Sequence, residues 1–116
     1  LVKAYDPIAN EVCAKQYPNL KIEYADNALS LAEDCDAIVV VTEWDEFRYL
    51  DLAKVGEVMN SKVLIDGRNV LDPAAVEAAG GRVISGLQML LHQAYAQVEQ
   101  FTGRQAPRAQ MAAALG

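Results

Sequence analysis

Strand-like and helix-like patterns take turns along this chain, and that alternation restricts its possible folds more than any other feature. Leu1 to Tyr5 reads as a short strand, and Lys21 to Tyr24 alternates as a second. Ala37-Ile38-Val39-Val40-Val41-Thr42 is the strongest strand signal, followed by Val63 to Asp66 and Arg82 to Ser85. Helical stripes separate them, and Asp6-Pro7, Asp26, Asp51 and Asp72-Pro73 supply N-cap and first-turn residues where those stripes begin. Gly80-Gly81 ends the fourth stripe. The run from Ala37 to Thr42 is apolar on both faces, which predicts a central parallel strand covered by helices on both sides. Leu87, Leu90, Leu91, Ala94, Val98 and Phe101 predict a long amphipathic helix that lays its stripe on the sheet and closes at Thr102-Gly103. A short helix follows Pro107. Strands alternating with helices predict an α/β fold with a doubly wound parallel sheet.

The 116 residues suffice for one modest domain, and 53% hydrophobic residues provide a core and exclude disorder. Sixteen acidic against ten basic residues leave a charge of -6. That sign opposes non-specific binding to nucleic acid or to an anionic membrane surface. No apolar run approaches the roughly 18–20 residues of a membrane span, and no signal-peptide pattern is visible, so neither is expected. With Cys13 and Cys35 22 positions apart and one histidine in the chain, neither a zinc cluster nor a disulfide framework is expected. Together these readings predict a cytoplasmic protein with half-buried free thiols and no metal. Composition breaks near residue 85. Residues 1–84 hold 8 basic and 15 acidic groups, whereas residues 85–116 hold only Arg104, Arg108 and Glu99.

Two polar segments end strands: Thr42-Glu43-Trp44-Asp45-Glu46-Phe47 and Asp66-Gly67-Arg68-Asn69. In open α/β sheets ligands bind beyond the carboxyl ends of strands, so both are candidate site segments. Thr42 capping a strand, Trp44 covering core, or Asp66 pairing locally with Arg68 would be the purely structural alternatives. Together with Tyr5-Asp6-Pro7 and Asp72, these segments resemble the C-terminal, UDP-binding domain of the UDP-glucose/GDP-mannose dehydrogenase family over residues 1 to about 84. That resemblance implies a Rossmann-like domain from enzymes that oxidise a nucleotide sugar twice using NAD. It places Arg68 on the nucleotide sugar, a task suited to a guanidinium fork. Thr42, Glu43, Trp44, Asp66 and Asn69 would form the site wall. The catalytic cysteine, general-base lysine and NAD loop of such enzymes lie in other domains, so no catalytic residue is assigned here.

The tail is similar to a second family. Gly86-Leu87-Gln88-Met89-Leu90-Leu91-His92-Gln93-Ala94, then Phe101-Thr102-Gly103 and Pro107, resemble the C-terminus of shikimate dehydrogenases. The resemblance implies a segment near the nicotinamide of NADP, with Gln93 contacting substrate. Gln88 departs from a glycine common in that family. Without a GxGxxG loop, independent binding of NAD or NADP is not expected. The chain thus divides into a partial UDP-binding domain, 1–84, and shikimate-dehydrogenase-like helices, 85–116. The reading is a UDP-sugar-binding module that is not catalytic alone. The alternatives are an inactive Rossmann-like chimera, natural or engineered, and a shikimate-dehydrogenase-type oxidoreductase fragment. The resemblance to the UDP-binding domain also implies that the domain's first strand, central in a doubly wound sheet, is missing. Either the Leu1 strand closes onto the Ala37–Thr42 strand, or two chains share elements in a homodimer, the expectation favoured by the broad tail stripe.

Overall fold

The computed structural model describes residues 1–115. Five strands and seven helices follow in the order β1 (Val2–Ala4), α1 (Asn10–Gln16), β2 (Ile22–Tyr24), α2 (Ala28–Ala32), β3 (Ile38–Val40), α3 (Asp45–Arg48), α4 (Leu52–Val58), β4 (Val63–Asp66), α5 (Pro73–Ala78), β5 (Arg82–Ser85), α6 (Gly86–Thr102) and α7 (Arg108–Ala114). All strand pairings are parallel, as expected for a doubly wound α/β chain. The five strands do not form one continuous sheet. β1 pairs with β2, and β3-β4-β5 form a separate three-stranded sheet.

The core lies on one face of the larger sheet. Val40, Leu64 and the half-buried Ile38 and Val83 meet Phe47 of α3, Leu52 of α4, and Val76 of α5. Val70 and Leu71 from the β4–α5 connection complete it. The opposite face is poorly covered: Val39 is 53% and Val41 68% exposed, and beyond the half-buried Ile65 of β4, Ile84 of β5 is exposed as well. This corrects the expectation of a central strand covered on both faces. β3 is an edge strand with one face open, because nothing in residues 1–115 packs on its Val39 side.

Local signals explain the element ends. Asp51 accepts a hydrogen bond from Lys54 N (3.2 Å) and Asp72 from Ala74 N (3.0 Å), so both cap helices as expected. Asp6 does not cap α1 directly. It accepts from Ile8 N and Ala9 N (2.9 and 2.8 Å) in a turn, and the helix starts at Asn10. Asn27, rather than Asp26, caps α2 and forms a reciprocal box with Ser30. α6 begins in a second such box between Ser85 and Gln88 and ends at Gly103 in the left-handed conformation. The expected packing of its stripe is only partial, with Leu91, Ala94 and Val98 half-buried. Leu90 is 62% and Phe101 88% exposed, and of its residues only Tyr95 is buried. Tyr95 instead stacks edge-on with His92 and lies under the Arg108 guanidinium of α7. Cys13 and Cys35 are free and half-buried, as the sequence predicted.

Candidate functional site

The carboxyl ends of β1, β3 and β4 converge on one polar cluster. β4 ends at Asp66, whose carboxylate is buried (2% exposed) and accepts backbone N–H bonds from Arg68 (3.2 Å) and Leu71 (2.8 Å). Those bonds organise the turn that follows, so Asp66 shapes the loop instead of pairing with the Arg68 guanidinium. Gly67 fits a close approach there. Its N–H donates to Val40 O at 3.0 Å, and a Cβ would sit 3.1 Å from that oxygen. Gly86, at the start of α6, approaches Gly67 O just as closely. Asn69 takes a left-handed backbone (φ 53°), which its short amide side chain tolerates. Arg68 is thereby held at the surface.

Across from it stands the segment after β3. Arg68 Nε donates to Glu43 Oε1 at 3.0 Å, and Nη2 contacts the same oxygen. Both side chains are about half exposed, so water screens the pair and leaves the guanidinium exchangeable. Trp44 turns its indole toward β1, donating from Nε1 to Asp6 Oδ2 (2.9 Å). Tyr5 OH donates to Glu46 Oε1 (2.8 Å), and its ring meets Phe47 edge-on at 6.1 Å. Arg48 lies 3.6 Å from Asp45. Burial pushes the Asp6 carboxyl up, but hydrogen bonds from Ile8 N, Trp44 and Ala9 N outweigh it and leave it below its ordinary value. The Glu46 hydrogen bond, then burial and the nearby carboxylates raise the Tyr5 phenol.

Of the residues singled out from sequence, Glu43, Arg68 and Asp66 are joined through these contacts, Trp44 bonds Asp6 on the β1 side instead, and Thr42 and Asn69 adjoin them in the same two segments. Tyr5, Asp6 and Glu46, quoted within motifs but given no site role, belong to this cluster as well. The Asp6–Trp44 contact spans 38 positions, and no local spacing rule signals it. Gln93 is exposed on α6, seven residues beyond Gly86 and therefore about 10 Å along the helix axis. Cys35 lies at the entry end of β3 and bonds Leu31 O, while Cys13 on α1 accepts from Tyr24 OH (3.2 Å). Neither thiol belongs to the cluster. Among the described residues no three His, Cys, Asp or Glu side chains converge as metal ligands.

This arrangement offers one exposed fork of donors, a buried carboxylate holding its loop, and an indole edge. It can grip an anionic or hydroxyl-rich ligand through Arg68 in exchange for Glu43. It does not fit the pyrophosphate of NAD or NADP. The turn after β1 is Tyr5-Asp6-Pro7 and the turn after β3 carries Glu43, Asp45 and Glu46, with carboxylates where a glycine-rich loop would offer N–H groups.

Residues 1–73 match the UDP-glucose/GDP-mannose dehydrogenase family, UDP binding domain. Residues 86–115 match the shikimate 5'-dehydrogenase C-terminal domain. The UDP-glucose 6-dehydrogenase of Rickettsia bellii is 38% identical over 81 residues, covering 70% of this chain and 19% of that protein. The UDP-glucose 6-dehydrogenase of Pseudomonas aeruginosa is 37% identical over 83 residues, covering 68% of this chain and 18% of its own length. Among solved structures, the shikimate dehydrogenase of Mycobacterium tuberculosis superposes on 97% of the chain and 46% of its own, with TM-score 0.66 and 30% identity. The chain therefore spans less than a fifth of these curated relatives and under half of the solved one.

Proposed function

Since the chain belongs to the UDP-glucose/GDP-mannose dehydrogenase family through its UDP-binding domain, we propose that it is a UDP-sugar-binding module that performs no dehydrogenation by itself. The observation that carries this reading is Arg68, held at the end of β4 by Asp66 and exposed beside Glu43, inside the matched segment. The guanidinium exchanges Glu43 for a phosphate or sugar oxygen, and Trp44, Thr42 and Asn69 wall the ligand. No NAD or NADP is assigned to the chain, because the acidic turns oppose a dinucleotide. Gln93 belongs to a weaker second reading, supported by the tail's own match, in which α6 faces a shikimate-like hydroxy acid. The same two matches support joined pieces meeting near residues 84–85. Among the described residues no helix is long and apolar enough to cross a membrane.

Calorimetric titration with UDP, UDP-glucose, NAD, NADP and shikimate side by side tests these readings. Saturable heat with UDP and UDP-glucose alone is the expected result. Heat with shikimate alone favours the tail reading, and heat with none removes the module.

A further inference from the structure

Carboxylates crowd the carboxyl ends of β1, β3 and β4, and most of them are committed to local structure. Asp6 accepts from Ile8 N, Ala9 N and the Trp44 indole. Glu46 accepts from Tyr5 OH (2.8 Å), and Asp45 pairs with Arg48 on its own helix (3.6 Å). Asp66 accepts from Arg68 N and Leu71 N, and Asp72 from Ala74 N at the start of α5. Glu43 is the exception. Among the described residues its carboxylate bonds only the Arg68 guanidinium, and through one oxygen, Oε1, which takes both Nε and Nη2. A guanidinium fork is filled best by two oxygens of one anion. Glu43 therefore blocks the fork without filling it.

The backbone is pinned on both sides of this pair. Gly67 N donates to Val40 O (3.0 Å), joining the end of β3 to the turn after β4. Trp44, next to Glu43, is tied to Asp6, and its carbonyl accepts from Phe47 N (3.0 Å). Arg68 N is held by Asp66 (3.2 Å). Parting Glu43 from Arg68 thus needs only side-chain rotation. The Arg68 and Glu43 side chains are 53% and 48% exposed, so water receives the displaced carboxylate and the pair adds little to stability.

Charge decides what can displace it. A hydrogen bond between ionised groups is about twice as strong as one between neutral groups. A neutral hydroxyl offered to Arg68 exchanges the stronger partner for a weaker one and gains nothing. A phosphate brings both charge and a second oxygen. We propose that Glu43 is the specificity-determining residue of this site: it occupies Arg68 as an internal anion, so the guanidinium passes only to a ligand that brings an anionic oxygen, a phosphate and not a sugar hydroxyl. The ligand's identity rests on the UDP-sugar reading, whereas the competition rests on the geometry alone.

The test is calorimetric titration of UDP into wild type, Glu43→Gln, Glu43→Ala and Asp45→Asn at about 0.15 M salt, where distant exposed charges are screened. Both Glu43 variants should bind about two- to fivefold tighter, the worth of releasing one exposed ion pair. Asp45→Asn makes the same charge change without freeing Arg68 and should stay within about 1.5-fold of wild type. Adding Arg68→Ala should abolish the gain of Glu43→Gln. Equal or weaker binding in both Glu43 variants overturns the proposal, because Glu43 would then hold Arg68 in place. So does an equal gain in Asp45→Asn, which would reduce the effect to net charge. So does an Arg68→Ala protein that loses affinity for UDP-glucose but not for UDP, which would put a sugar hydroxyl on the guanidinium. If UDP gives no heat with any of these proteins, the UDP-sugar reading falls by itself and inorganic pyrophosphate decides the competition. The Arg68 Nε–Hε resonance should then shift at lower pyrophosphate concentration in Glu43→Gln than in wild type. Equal shifts, or none in either, overturn this proposal as well.

Discussion

Arg68 is exposed and bonded only to Glu43 and its own turn, so replacing it tests binding without threatening the fold. Arg68→Ala is expected to weaken UDP binding by about 1.5–3 kcal/mol, the range for a hydrogen bond to a charged group. Arg68→Lys should not restore it, since an ammonium lacks the planar fork. Titration calorimetry reads both; equal affinity in wild type and Arg68→Ala would remove this arginine from the site. Asp6 makes a separate prediction. Its carboxyl titrates below the unfolded value because the bonds from Ile8 N, Trp44 and Ala9 N favour the charged form over the opposing effect of burial. The stabilisation is therefore present above the unfolded value of about 3.9 and is lost as pH falls through the lower folded one. Urea midpoints between about pH 2 and about pH 6 should fall less steeply in Asp6→Asn than in wild type. An unchanged acid limb would mean that the Asp6–Trp44 link adds nothing to stability. Arg68 and Trp44 were legible in the sequence because they sit at strand ends. Asp6 was legible as a cap and as part of the Tyr5-Asp6-Pro7 motif, but its bond to Trp44 was not, since that partner lies 38 residues away.

At the scale of elements, caps and strand identities follow from local chemistry, while coverage does not. The Asp51 and Asp72-Pro73 starts, the Val63–Asp66 strand and the Gly103 stop are decided by neighbouring residues, and each is where the sequence placed it. The two errors of packing share a cause. Ala37–Thr42 and the Leu87–Phe101 stripe carry the apolar pattern of buried elements, but burial requires a second surface that the pattern does not contain. Val39 and Leu90 are accordingly exposed. Because so little of α6 is buried, its stability depends on its ends. Ser85 accepts from Gln88 N (3.3 Å), and Gln88 Oε1 accepts from Ser85 N (3.1 Å). Ser85→Ala should cost about 1 kcal/mol and lower far-ultraviolet helical signal early in a thermal melt. A melt superimposable on wild type would show that packing on β5 and α7, rather than the cap, holds this helix.

The whole molecule is looser than its size implies. Its radius of gyration is 16.7 Å, against about 13 Å for a compact chain of this length. Two features contribute: β1, α1 and β2 share no strand pairing with β3-β4-β5, and the 17-residue α6 buries little of itself on the body. Side-chain links between the halves include Lys3 to Glu33, Tyr5 to Glu46 and Phe47, and Asp6 to Trp44. The Lys3 and Tyr5 hydrogen bonds are exposed and the Asp6–Trp44 bond only partly buried, so each contributes modestly, whereas the buried Val40–Leu64–Val76 cluster lies wholly in the larger half. The two halves should consequently open at different free energies. Native-state hydrogen exchange is expected to show the β2 amides of Glu23 and Tyr24 exchanging at lower urea than the β4 amides of Leu64 and Ile65. Tyr5→Ala, which removes both the Glu46 bond and the Phe47 contact, should widen that separation by weakening the smaller half more than the larger, whose core Tyr5 only borders. A single opening transition shared by β2 and β4, unmoved by Tyr5→Ala, would mean that the two sheets unfold as one unit despite the gap between them.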